Sequence, residues 1–275
     1  MKISDHTPLG FRYNHAIRKL VVAGCGGSGS HWIQSIALML YDMERKGLQT
    51  PAVYLVDPDR VEEQNIGRQM FIPADLGQPK CEVLARRLNL MYGLDFHTFD
   101  TPFEAGMARG ETLLCGAVDN AAARREMSKS NALWIDAGNH FSAGQVIVGT
   151  SSTASVVEKA LVRAGELGKG ENDLLSKLPN AALCFPSLLD EEEVEEYPNI
   201  SCAEAVALGE QSLLINQQMA AIAAQYTHLI LHQQTLMSFI SYISSGEHGM
   251  TVRSVPTSPI EIRARLGEEV VALSN

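Results

Sequence analysis

The chain has few cysteines, and none of them forms a CxxC pair. The five, at positions 25, 81, 115, 184 and 202, are an odd number at irregular spacing. That argues against a disulfide framework and against a Cys-rich zinc site, and it makes a cytoplasmic home the default expectation. Positive charge is also short. Lys and Arg number 22 against 32 Asp and Glu, a net charge of −10, so the basic footprint of a non-specific nucleic-acid binder is missing. Any anionic ligand must then be met by locally placed cations. Long uninterrupted apolar runs are lacking too. The opening, MKISDHTPLGFRYN, has no apolar core of the length a secretory signal needs. The most apolar long stretch, residues 203–231, is broken by Glu204, Glu210, Asn216 and several Gln. It reads as a buried core helix and not as a membrane span. No internal repeat is visible.

What is present is ordinary globular material: 275 residues, 45% apolar and 20% charged, enough to bury a full core. KLVVAGCGGSGSHWIQSIALMLYDMERKG predicts a strand, a glycine turn and a long helix from about Ser30 to Lys46. Residues 52–59, AVYLVDPD, read as a short buried strand ending in Asp57 and Asp59. PKCEVLARRLNLMYG predicts a helix opened by Pro79 and stopped by Gly93. Further strands are expected in LDFHTFD, ETLLCGAVDN, ALWIDAGNH and GQVIVGT, with AAARREMSKSN a helix between two of them. Alternating strands and helices predict an α/β, Rossmann-like fold: a mostly parallel sheet with helices on both faces. Ligands are expected at the carboxyl ends of the strands, where Gly24–Gly29, Asp57 and Asp119 fall.

From about 151 to 200 the pattern degrades into Ser, Gly, Asn and Pro, with the acidic run DEEEVEE at 190–196. The segment is expected to be an irregular, partly mobile excursion from one domain spanning 1–275, whose nucleotide-binding core is about 18–150. A return helix from about Cys202 to Gln234 and a final strand, MSFISYISS, would complete a C-terminal antiparallel extension at about 201–256.

Gly24, Gly26 and Gly29 satisfy G-x-G-x-x-G directly between a strand and a helix, and Gly27 doubles the middle glycine. Such a loop brings backbone N–H groups and a helix N-terminus up to a phosphate. The loop alone does not say which phosphate. Asp57 suits a ribose hydroxyl in a dinucleotide or an ATP site, but it lies 28 residues past Gly29, further than the roughly 20 of dinucleotide folds. The stretch VDPDRVEEQNIGRQMFIPADLGQPK separates the two. Hydride transfer has no need of Arg68 and Lys80 just past the ribose aspartate. Cutting a triphosphate does need them, to neutralise charge on a leaving pyrophosphate. Asp119 is placed to hold a Mg²⁺ that bridges those phosphates.

The order GxGGxG, D-x-D-x-V-x-x-x-N-x-x-R-Q, G-Q-P-K and D-N resembles the adenylating family of ubiquitin-activating enzymes and their bacterial relatives ThiF and MoeB. The likeness runs from about 20 to 150 and resumes at 201–222. VDPDRVEEQNIGRQMF, LNLMYGLDF and WIDAGNHFSAGQVIVG look most like the ThiF-type protein of the plasmid-borne PRTRC gene systems. The resemblance implies ATP and Mg²⁺ as the nucleotide and its metal. It implies a small ubiquitin-like or sulfur-carrier-like protein ending in Gly as the partner, and a homodimer. It assigns Asp57, with Asp59 beside it, to the ribose side of the nucleotide, and Asn65, Arg68 and Lys80 to its phosphates. Gln69 would support the adjacent loop, and Asp119 would coordinate Mg²⁺.

The chain also departs from that family. Many relatives hold zinc with two CxxC pairs, but here Cys184 stands without a cysteine at 181, so no zinc is expected. Many bring an arginine in trans from an N-terminal RYxRQ segment, where this chain reads RYNHA with His15 in that place; Arg12 and Arg18 are the nearby substitutes. Cys202 occupies the position of the family's reactive cysteine, with Cys184 the second candidate for a thioester. A helix start would favour the Cys202 thiolate, and the acidic run just upstream would oppose it. Cys25, Cys81 and Cys115 read as packed residues. Two alternatives stay open: a scaffold of the same fold that binds ATP or a ubiquitin-like protein without turnover, and an NAD(P)- or FAD-dependent oxidoreductase.

Overall fold

A computed structural model describes residues 5–140, 143–167, 174–190, 214–246 and 249–266. Its first strand, β1 (Lys19–Ala23), is made by the apolar run KLVVA and leads into the glycine loop. The helix that follows, α1 (Gly27–Arg45), starts inside that loop, three residues before the expected Ser30. Gly29 is therefore helical. Trp32, Ile33, Ile36, Ala37 and Leu40 bury one face of α1, the spacing of an amphipathic helix. β2 (Ala52–Val56) stops one residue short of Asp57, and α2 (Lys80–Tyr92) ends where Gly93 takes the left-handed conformation at φ 70°. β3 (Phe96–Phe99), β4 (Thr112–Gly116), α3 (Ala121–Ser128) and β5 (Leu133–His140) follow in alternation.

The strands form one sheet in the order β3-β2-β1-β4-β5-β6-β7-β8, counting β6 (Ala143–Gly149), β7 (Ser238–Gly246) and β8 (Gly249–Pro256). The first five are parallel and in register, and the last three join antiparallel. The expected Rossmann-like sheet with a C-terminal antiparallel extension is thus the observed one. Residues 237–245 do not supply the last strand, however, because β8 pairs beyond them. α1 and α2 pack beside each other on one face, where α1 also meets α6 (Ile215–Leu231). The Trp32 indole N–H donates to Thr227 Oγ1 at 3.0 Å across that helix pair. α3 lies with the one-turn helix α5 (Ala181–Cys184), so helices cover both faces.

The segment expected to be irregular contains a 14-residue helix, α4 (Ala154–Leu167). Its Val157, Ala160, Leu161 and Ala164 are buried at i, i+3, i+4 and i+7, the spacing of a helix that docks one face. Past Pro256 a short helix, α7 (Pro259–Arg263), packs against the N-terminal segment, where Ile260 N–H donates to Asp5 O at 3.1 Å. Cys202, the start of the return helix and most of the acidic run lie outside the described residues. Among the described residues no helix is long and apolar enough to cross a membrane.

Candidate functional site

The strand order reverses between β1 and β4, and the chain turns away from both at their carboxyl ends. A cavity of about 1090 Å³ opens there, above the upper end of the roughly 300–1,000 Å³ common for one small ligand. Gly24, Gly26, Gly27 and Ser28 line it from the loop after β1; Asp57, Pro58 and Asp59 from the end of β2; and Asp119 and Asn120 from the end of β4. Of the residues singled out from the sequence, Arg68, Gln69 and Lys80 also line it.

The loop is shaped by two glycines the backbone cannot replace. Gly24 sits at φ 94°, and a Cβ there would lie 2.4 Å from Ala117 O. A Cβ on Gly29 would lie 2.0 Å from Gly24 O. Gly29 does not line the cavity; it lets α1 close against the loop. Gly26, the residue before α1, gives no side-chain cap to the helix, so the first-turn N–H groups are left for a ligand. α6 likewise begins without a side-chain cap, and its second residue, Asn216, reaches the same cavity.

Asp57 is 5% exposed, and its two carboxylate oxygens hold the site's backbone. One accepts the N–H of Cys25, the other the N–H of Asp59 at 2.7 Å. Burial pushes its carboxyl above the usual range, while those two N–H groups and nearby Lys80 pull the other way. A carboxylate has about four lone-pair positions, so ribose hydroxyls can still be accepted. Lys80, the first residue of α2, is 6% exposed, and its Nζ pairs with Asp59 at 2.9 Å.

Arg68 and Gln69 stand on a short turn that Asn65 organises. Asn65 Oδ1 accepts Glu62 N–H at 2.8 Å, and Gln69 N–H donates to Asn65 O at 3.0 Å. The turn is tied to α1 by Met70 N–H, which donates to Ser30 Oγ at 3.2 Å, and to α2 by Arg87, which donates to Met70 O. Asn65 is buried and is not part of the lining. The structure brings Asp57, Asp59, Arg68, Gln69, Lys80 and Asp119 to one cavity, and places Asn65 behind it as a brace. Gln69 Oε1 is buried with no hydrogen-bond partner among the described residues.

Several lining residues were not singled out from the sequence. Arg124 projects from α3 into the cavity wall, where its Nε donates to Asp136 Oδ1 on β5 at 3.3 Å. Asp136 is fully buried, and burial raises its carboxyl despite Arg124. Arg124 lies five residues past Asp119, one helical turn beyond Asn120, whose Oδ1 caps α3 through Ala123 N–H at 2.8 Å. That spacing is the signal that could have found it. Asn139 and Asn216 gave none, because their roles depend on α6 crossing over β5. From the antiparallel extension, Gln145, Tyr242, Thr251 and Arg253 carry the cavity outward.

Of the N-terminal cations, Arg12 donates to Thr235 Oγ1 and Arg18 pairs with Glu111 at 3.5 Å. Neither lines the cavity. Cys25, Cys81, Cys115 and Cys184 are all buried. Burial pushes the Cys184 thiol up to about 12, with Arg265 opposing, and raises Cys81 to about 11. Among the described residues no group of three or more His, Cys, Asp and Glu is gathered to hold a metal ion.

Fold and cavity together define a candidate ligand site at the switch point of a Rossmann-like sheet. The sequence profile of the ThiF family matches residues 14–242, and the chain belongs to that family. Its fold is that of E. coli MccB. The crystal structure of MccB with ATP superposes with a TM-score of 0.56 at 16% identity, covering 88% of this chain and 64% of MccB. The microcin C7 biosynthetic enzyme MccB in complex with N-formylated MccA gives 0.55 at 17% identity, with 88% and 65% covered. The chain therefore spans just under two thirds of the length of MccB.

Proposed function

We propose that the protein binds ATP and adenylates the C-terminal carboxylate of a small ubiquitin-like or sulfur-carrier-like protein that ends in Gly. The observation that carries this reading is the gathering of Arg68, Lys80 and Asp119 around the uncapped first turn of α1. Cations, helix N–H groups and the carboxylates of Asp57 and Asp119 meet at one cavity, and that combination suits a nucleotide polyphosphate with its Mg²⁺. Membership of the ThiF family and the likeness to MccB, which has been crystallised with ATP, support the same reading. A cavity larger than one nucleotide needs leaves an arm along β6–β8 for the partner's tail.

In this reaction a terminal carboxylate oxygen of the partner attacks the α-phosphorus. The bond from that phosphorus to the bridging oxygen of the β-phosphate breaks. An acyl-adenylate forms, and the electron pair leaves on pyrophosphate. The attacking carboxylate is already ionised, so no catalytic base is required. The chain contributes alignment and charge. Arg68 and Lys80 take up the charge growing on the leaving phosphates, and the first-turn N–H groups of α1 hold the phosphate chain. Asp57 receives the ribose hydroxyls, and Asn65 acts through the turn it braces. The donor set fits a phosphate-bound Mg²⁺, a cation that commonly takes only one or two protein carboxylates. Asp119 would hold it, and it would supply further neutralisation of the phosphates.

A thioester step would use Cys202, since the Cys184 thiol is buried and protonated. A PRTRC-type ubiquitin-like protein is the partner the sequence resemblance points to, with the enzyme acting as a cytoplasmic homodimer. The test is the intact mass of a Gly-terminated partner incubated with ATP and enzyme. The reading predicts a partner carrying one AMP, lost when the terminal Gly is deleted. An unmodified partner under all conditions contradicts it.

A further inference from the structure

Asn216 stands on the second turn-forming position of α6, a helix that sequence reading treats only as core. Its side chain is 7% exposed, yet it lines the cavity. The amide lies flat on Gly27, the first residue of α1. A Cβ on Gly27 would come within 2.7 Å of both Asn216 Cγ and Nδ2. Gly27 is therefore glycine because Asn216 occupies the space above it.

The two halves of this amide have different surroundings. Oδ1 accepts from Ser28 Oγ at 3.3 Å and from Asn139 Nδ2 at 3.0 Å. A carbonyl oxygen has two lone pairs, so its acceptor capacity is filled by α1 on one side and β5 on the other. In this arrangement both bonds go to the oxygen end of the amide. The NH₂ end remains, with two donors and, among the described residues, no acceptor hydrogen-bonded to it. It sits beside the first-turn N–H groups of α1, in a wall that also presents Arg68 and Lys80. Cations and helix N–H groups stand in the same wall as the carboxylates of Asp57, Asp59 and Asp119.

We propose that Asn216 Nδ2 donates a hydrogen bond to the phosphate chain of the bound nucleotide, making the return helix part of the phosphate site and not only a cover for the sheet. This rests on the ATP reading above. It adds a binding residue from an element far along the chain, and it gives Ser28 and Asn139 the task of orienting that residue.

Asn216→Asp separates the roles. The aspartate keeps the shape and both accepted bonds, but replaces the donor with a negative oxygen. The proposal predicts that Asn216→Asp holds the wild-type melting temperature and weakens ATP and inorganic tripolyphosphate about ten- to a hundredfold, the usual worth of a hydrogen bond to a charged group. Adenosine, which has no phosphate, should bind both proteins alike. Asn216→Ala, which removes the donor without adding charge, should weaken the same two ligands about tenfold, and it carries the test if the aspartate variant does not fold. Wild-type affinity for tripolyphosphate in a folded Asn216→Asp or Asn216→Ala protein overturns the proposal while leaving the ATP reading intact. A wild-type protein that binds neither ATP nor tripolyphosphate overturns both.

Discussion

Lys80 is as buried as many of the leucines around it, and its ammonium opens onto a cavity instead of bulk water. In the described structure it is paired with the carboxylate of the largely exposed Asp59. On the ATP reading proposed above, a triphosphate entering the cavity would offer Lys80 a stronger, multiply charged partner in place of Asp59. Lys80→Ala and Arg68→Ala should each lower ATP–pyrophosphate exchange about 10²–10³-fold, the loss typical of removing one charge-stabilising group. Exchange within threefold of wild type in either variant would remove that residue from the reaction. The cysteines give a second prediction at this scale. The Cys184 thiol, raised to about 12, and that of Cys81, raised to about 11, remain protonated at pH 8, and Cys25 and Cys115 are raised and buried as well. A raised thiol pKa means the reactive thiolate appears only as pH climbs toward that value. In a native Cys202→Ser protein, a disulfide reagent at pH 8 should therefore find almost no thiol until denaturant is added. Rapid reaction of a thiol in that variant would contradict the burial of these four.

The glycine loop and α1 are stabilised by contacts that leave no room for a methyl group at Gly29. Gly29→Ala should cost about 2–4 kcal/mol, measured by denaturant unfolding, because its Cβ meets the Gly24 carbonyl and not a movable side chain. Gly93, at φ 70° with open space around it, differs. Gly93→Ala should cost only about 1 kcal/mol, the penalty of a left-handed alanine. The elements with strong patterns were legible in the sequence: β1, α1, β2, α2, β4 and β5 fall where apolar runs, Pro79 and Gly93 put them. α4 was hidden because its helical spacing sits in a segment whose Ser, Gly, Asn and Pro content dominates a coarse reading. β8 was hidden for another reason. Six consecutive residues, 249–254, are exposed, so no apolar alternation marks the strand, and pairing with β7 alone makes it. The site split the same way. Gly24, Asp57, Lys80 and Asp119 stand at strand ends or helix starts that local motifs announce. Arg124 stands one helical turn past Asn120, a spacing the chain does show, whereas Asn139 and Asn216 reach it through packing between distant elements, which spacing along the chain does not encode.

For the molecule as a whole, a net charge of −10 goes with a cavity that carries four cations, Arg68, Lys80, Arg124 and Arg253, beside the carboxylates of Asp57, Asp59, Asp119 and Glu126. The sheet's switch point and the uncapped first turn of α1 bring these side chains and backbone N–H groups to one place. From the antiparallel strands, Gln145, Tyr242, Thr251 and Arg253 line the same cavity. The central claim is that this one cavity holds ATP and a protein tail at once, for reaction with each other. Its most direct measurement is the exchange of labelled pyrophosphate into ATP, with and without a ubiquitin-like protein ending in Gly. The account predicts exchange that requires this partner, disappears when its terminal Gly is removed, and is abolished by Asp119→Ala. Tight NAD binding with no partner-dependent pyrophosphate exchange would contradict it.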